Sequence, residues 1–166
     1  MNYYQILLII TAVIIAIIIL FYIFYLKHVN YVNKNLNESQ KLVESFYEYI
    51  KSDNNTKVLE MFDKESVFLG VDNISEMKEY IKNDNKKYGK IKSYKLIYSH
   101  KPYFIIEENI GEDEITLSYH VKRDKEDTME DFMIINKNNK YYIESYNVDG
   151  KEVLDSFYTS MNISRE

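Results

Sequence analysis

Cysteine and tryptophan are absent from this 166-residue chain, proline occurs once and glycine four times. Without cysteine there is no disulfide framework, no thiolate zinc site, no cysteine nucleophile and no lipid-modified cysteine anchor. Alanine is nearly missing as well, with Ala12 and Ala16 the only two. The scarce residues Ala, Gly, Pro and Trp are those of G/C-rich codons, which points to an AT-rich genome. That background deflates what replaces them: 17 tyrosines need not form a binding surface. Gly-rich phosphate loops, a nucleophile elbow and a His-Glu-x-x-His helix are also absent, so no catalytic signature is present.

Charge is missing from the first 26 side chains; Lys27 is the first to carry one. Within that stretch Ile6 to Leu26 is a run of Ile, Leu, Val, Ala and aromatics interrupted only by Thr11. At 1.5 Å of rise per residue it spans roughly 31 Å, close to the hydrocarbon thickness of a bilayer. A helix keeps its own backbone hydrogen bonds satisfied there, and a soluble helix of this length would show a polar face. The run therefore predicts a retained membrane anchor over 1–27 that contacts the lipid bilayer through Ile6 to Leu26. A cleaved signal peptide would need a charged n-region, a shorter apolar core and a small-residue cleavage site. None is present. Lys27 and Lys34 favour a cytoplasmic domain by the positive-inside bias, while Tyr3, Tyr4, Phe21, Tyr22, Phe24 and Tyr25 mark interfacial depth but not direction.

The formal net charge of −5 falls on the part after this run and gives no support to nucleic-acid binding. The basic cluster Lys82, Lys86, Lys87, Lys90, Lys92 and Lys95 is broken by Asp84 and reads as a solvated face. No cofactor is implied. Asp53-x-Asn55-x-Lys57 fails as a calcium loop, because lysine stands where an oxygen ligand belongs and Val58 where the glycine belongs. His28, His100 and His120 are too scattered to define a metal site.

Residues 28–37 read as a juxtamembrane linker or an extension of the anchor helix. Beyond them the period is first helical. Leu42, Val43, Phe46, Tyr47 and Ile50 form one apolar stripe, with Asn37 and Gln40 spaced as a capping box. A short helix then carries Val58, Met61 and Phe62 inward. A third helix starts at Asn73, buries Met77, Tyr80 and Ile81, and stops at Gly89. From Tyr94 the period changes to 2. Strands are expected over Tyr94 to Ser99, Tyr103 to Glu108, Ile115 to Lys122, Met129 to Asn136 and Tyr141 to Tyr146, the last two joined by the turn Lys137-Asn138-Asn139. Val153, Leu154, Phe157, Tyr158 and Met161 repeat the amphipathic spacing in a C-terminal helix within 149–166. The expected class is α+β, with helices laid across one face of a curved antiparallel sheet.

The order of elements, the passage Lys87-Tyr88-Gly89-Lys90-Ile91-Lys92-Ser93-Tyr94 from helix into strand, and the closing hairpin Glu130 to Tyr146 resemble the nuclear transport factor 2-like (cystatin-like) superfamily over 38–148. In particular they resemble its small membrane-tethered bacterial members. The tryptophan usual in the last strand is replaced by Tyr141 or Tyr142. The resemblance implies a cone-shaped cavity between sheet and helices, in which enzymes of the superfamily use an Asp or His base and a polarising Tyr. The cavity candidates here are Tyr94, Tyr98, Tyr119 and His120. His120 is out of phase with Ile115, Leu117 and Tyr119, which puts it on the polar face as an exposed strand histidine.

The resemblance also implies a docking role. Assembly-scaffold subunits of conjugation and secretion channels join one N-terminal span to a domain of this superfamily. The expectation is a single-pass, non-enzymatic interaction or assembly module at the cell envelope, its domain extracytoplasmic, with a protein partner or a second copy meeting Val153, Leu154, Phe157, Tyr158 and Met161. Packing of that stripe on its own sheet is the competing reading. The alternatives are a small-ligand-binding or isomerase-like enzyme using the cavity, and a cytoplasm-facing regulatory domain.

Overall fold

A helix of 49 residues, α1 (Tyr3–Lys51), opens the computed structural model, which describes residues 2–63, 74–100 and 113–162. The chain divides into two units, Met1–Asn37 and Glu38–Glu166. In the first unit the side chains from Ile6 to Leu26 are exposed, and the helix is long and apolar enough to cross a membrane. Its one polar side chain in that run, Thr11, donates to the carbonyl of Leu7 at 2.9 Å, so the hydroxyl is satisfied within the helix. Asn37 lies inside α1 and does not start a helix as its spacing with Gln40 suggested. Residues 27–37 contain no proline or glycine, and nothing there breaks the hydrogen-bond ladder.

In the second unit Val43, Phe46 and Tyr47, at helical spacing, are fully buried. The chain leaves α1 through Asp53 in the left-handed region, and Asn54 caps α2 (Asn55–Glu60) by accepting from the amide of Lys57 at 3.3 Å. Val58 and Met61 are buried as expected. Ile143 donates to the carbonyl of Met61 and accepts from the amide of Asp63, which lays Phe62 parallel to the last strand. Helix α3 (Ile74–Tyr88) stops at Gly89, whose φ of +89° suits glycine. A Cβ there would lie 2.7 Å from the Cβ of Asp124, so the close approach of helix end and loop requires this residue.

Among the described residues four antiparallel strands follow in the order β1 (Ile91–His100), β2 (Asp113–Arg123), β3 (Thr128–Lys137) and β4 (Lys140–Asp149). The strand expected over Tyr103 to Glu108 lies outside the described residues. Asn138 and Asn139 both have positive φ, the backbone of the two-residue turn that matches the twist of its strands. Register shifts at Ile91/Ser93, Leu96/Tyr98 and Met133/Ile134 break the regular ladder.

Helix α4 (Lys151–Met161) closes the chain. It does not join α1 on one face of the sheet. Tyr119 and Glu130 point to α1, whereas their neighbours His120 and Met129 meet Tyr158 or its cluster on α4. Successive strand residues face opposite sides, so α1 and α4 cover opposite faces. The fold is α+β with a helix on each side of the sheet.

Candidate functional site

On the α1 face, aromatic rings pack between the helix and the sheet. Tyr47 stacks on Tyr94 with ring centroids 4.2 Å apart and meets Tyr119 edge-on at 5.7 Å. Phe46 lies 5.2 Å from Phe132 and 5.0 Å from Tyr146. Phe46, Tyr47, Phe132, Tyr119 and Tyr146 are all buried. Such edge-to-face pairs contribute about 0.5–1.5 kcal/mol each beyond area burial.

Behind these rings lies a buried ion pair. The Glu130 carboxylate accepts from Arg123 Nη2 at 2.5 Å and Nε at 3.0 Å, and from Thr128 Oγ1 at 3.0 Å, all on Oε1. Its Oε2 accepts from Tyr146 at 2.8 Å and Tyr47 at 3.2 Å. Arg123 Nη1 donates to the carbonyl of Gly89 at 3.2 Å and to Asn85 Oδ1 at 3.5 Å. Both charged side chains are removed from water. Burial pushes the Tyr47 and Tyr146 hydroxyls well above the usual tyrosine range, and the Glu130 charge adds to the effect. Burial alone would lower the Arg123 guanidinium, but the Glu130 carboxylate beside it raises it overall. Asp84 on α3 is pushed up to about 6 by burial, against the pull of Arg123 and with added repulsion from Glu130.

This cluster is saturated. Five donors converge on one carboxylate, leaving it no free position from which to take a substrate proton. Its chemistry is positional: it ties α1, α3, β2, β3 and β4 to one point. Arg123 and Glu130 were not among the residues singled out by sequence, yet a signal exists. Arg123 continues the inward phase of Ile115, Leu117, Tyr119 and Val121, and Glu130 precedes Phe132 and Ile134 in theirs. Two opposite charges in apolar phase on either side of a short loop are a buried pair in waiting.

The four cavity candidates are divided between the two faces. Tyr94 and Tyr119 meet under α1, where burial raises both hydroxyls. Tyr98 stacks near His100 and meets Phe157 of α4, and His120 meets Tyr158. His120 has the phase expected of it, opposite to Tyr119, but it is buried rather than exposed because α4 covers that face. Its Nδ1 lies 3.0 Å from the Tyr158 hydroxyl and its Nε2 3.0 Å from Asp127 Oδ2. A ring with its proton on Nε2 would donate to Asp127 and accept from the hydroxyl at Nδ1, which satisfies both contacts. The Tyr158 hydroxyl is raised by burial and then by the Asp127 charge.

In the C-terminal stripe, Leu154 and Tyr158 pack with Met129, and Phe157 packs against the same cluster beside Ile97. Val153 and Met161 are 44% and 45% exposed. Glu126, from the loop after β2, accepts from the amide of Lys151 at 2.8 Å and so satisfies the first turn of α4. Among the described residues no three His, Asp or Glu side chains are placed to hold a metal ion. Comparison of the chain with protein families, curated proteins and solved structures finds no match.

Proposed function

We propose that this protein is a single-pass membrane-anchored, non-enzymatic interaction or assembly module of the cell envelope, with a nuclear transport factor 2-like domain on the extracytoplasmic side. The observation that carries the reading is the aromatic packing of Phe46 and Tyr47 against the middle of the sheet. An enzyme of the cone type needs room there for a substrate, and Phe46, Tyr47, Phe132 and Tyr146 occupy it. The separation of Tyr94 and Tyr119 from Tyr98 and His120 by the thickness of the sheet removes the convergence a catalytic site requires. The reading places the action on the outer surface, and the apolar run Ile6 to Leu26 would hold that surface at the bilayer.

On α4 the exposed Val153 and Met161 are the docking residues, while Leu154 and Tyr158 anchor the helix beneath them. A photo-crosslinking amino acid placed at Val153 or Met161 in the full chain, in its native membranes, tests this. The expected result is one discrete adduct, at twice the chain's mass for a second copy or at another mass for a different partner. Diffuse labelling no stronger than that from the exposed strand position Lys122 overturns it. Sidedness is read separately, because the chain has no native cysteine. Ser52→Cys should react with a membrane-impermeant maleimide in intact cells; reaction only after lysis would place the domain in the cytoplasm, as Lys27 and Lys34 suggest.

A further inference from the structure

Beside α3, at the edge of the aromatic cluster under α1, lies a cleft of about 710 Å³ whose described lining residues bring together Lys51, Lys78, Lys82 and Lys90 with one carboxylate, Asp53. Four lysines from three parts of the chain line one cleft in a protein whose net charge is −5. We propose that this cleft is a binding site for a phosphorylated small molecule or headgroup carrying at least two negative charges. The proposal stands apart from the docking reading and needs neither the anchor nor a protein partner.

The arrangement is not the lysine run seen in the sequence. Lys92 of that run pairs with Asp124 at 3.2 Å, Lys87 lies over the ring of Tyr88, and neither lines the cleft. Lys51 and Lys78, far apart in sequence from Lys90, do. Lys78 and Lys82 are four apart on α3, a spacing at which like charges repel by a few tenths of a kcal/mol in the absence of an anion. Among the described residues Lys78, Lys82 and Lys90 pair with no carboxylate. Lys51 contacts Glu48 at 3.4 Å and lies over the Tyr94 ring, and the Asp53 carboxylate already accepts from Asn55 at 2.9 Å.

The chemistry favours phosphate over a lone carboxylate. Among the described lining residues every cation is a lysine, a compact point charge suited to a tetrahedral oxyanion, and none is an arginine, whose planar fork reads a carboxylate. Ile50, Ile81 and Ile91 supply an apolar wall, and the volume falls in the ~300–1,000 Å³ range of small-molecule sites. Inorganic phosphate alone would leave most of that space empty, so the group sits on a larger body.

Lysine acetylation by a water-soluble reagent, read residue by residue on the full chain in phosphatidylcholine nanodiscs, tests the proposal. Saturating pyrophosphate should slow reaction at Lys78, Lys82 and Lys90 by roughly threefold or more while Lys122 and Lys140, exposed elsewhere, are unchanged. In Lys82→Gln/Lys90→Gln, protection of Lys78 should need about tenfold more pyrophosphate, the combined effect of two solvent-screened contacts. Discs that also contain phosphatidic acid, without pyrophosphate, separate the sources: protection of the same lysines there assigns a lipid headgroup, and protection by pyrophosphate alone assigns a soluble ligand. Equal slowing at Lys122 and Lys140, or no slowing in either arm, overturns the site.

Discussion

The two faces of the sheet are closed by the same kind of contact used at different depths. Under α1, tyrosine hydroxyls from two elements reach Glu130, which is fully enclosed and also held by Arg123 and Thr128. Under α4, one tyrosine hydroxyl reaches His120, whose other nitrogen meets the half-exposed Asp127. The first contact cannot be opened without stranding a charge in the core. The second can be opened to water at its Asp127 end, and among the described residues the apolar cluster behind it has Met129, Leu154 and Tyr158 as its buried members. The comparison teaches that α1 belongs to the structural centre of the domain, whereas α4 is the more separable layer.

The strongest way to break the comparison is Glu130→Ala. Removing one partner of a buried pair leaves the guanidinium uncompensated, so a loss of roughly 3–5 kcal/mol is expected in denaturant unfolding of the full chain in micelles. Replacing both partners, Arg123→Leu/Glu130→Leu, should recover much of that loss, since the desolvation cost disappears with both charges. A double variant as unstable as the single one would show that the pair's remaining hydrogen bonds, not its charge, hold the core.

Leu154→Ala comes next, at about 2 kcal/mol, the low end for a buried leucine because the α4 cluster is small. Amide hydrogen exchange should show faster opening of α4 while α1 residues 43–47 keep their protection. Loss of protection in both would join the two faces into one cooperative unit. Tyr158→Phe removes a single hydroxyl and should cost about 1 kcal/mol, again confined to α4 in the same exchange measurement.

A pH dependence is expected as well. Asp84 holds its proton up to about 6 in the folded protein against an ordinary value near 3.8. Between those values the folded state binds more protons than the unfolded one, so this group's contribution falls as pH rises through the window and is fully present below it. Against wild type, Asp84→Asn should therefore gain relative stability as pH rises from 4 toward 6 and show a constant difference above that. A difference that is flat across the window would mean that Asp84 is not desolvated beside Arg123.

Much of this architecture is legible in the order of side chains. The stripe Val43, Phe46, Tyr47, the stop at Gly89 and the turn at Asn138 and Asn139 follow from periods and from residues that accept positive φ. The phase of His120 is equally legible, but its burial is not. A strand's alternation says which residues share a face and is silent on whether a helix more than 30 residues later will cover it. The inward phase of Arg123 and Glu130 is legible too, but the hydrogen bonds that join them come from the strand register that pairs Val121 with Thr128.

The sequence by itself determined the apolar helix over Ile6 to Leu26, the change from helical to strand period near Tyr94, and the turn chemistry that sets the last hairpin. These depend on neighbours a few residues apart, through the backbone ladder and allowed φ. Only the tertiary structure decided that α4 takes the second face, that Tyr47 fills the space beside Tyr94 and Tyr119, and that Lys51 and Lys78 join Lys82 and Lys90 around one cleft. Those outcomes turn on the register and packing of segments far apart in the chain, where burial and charge act through space and no local pattern records them.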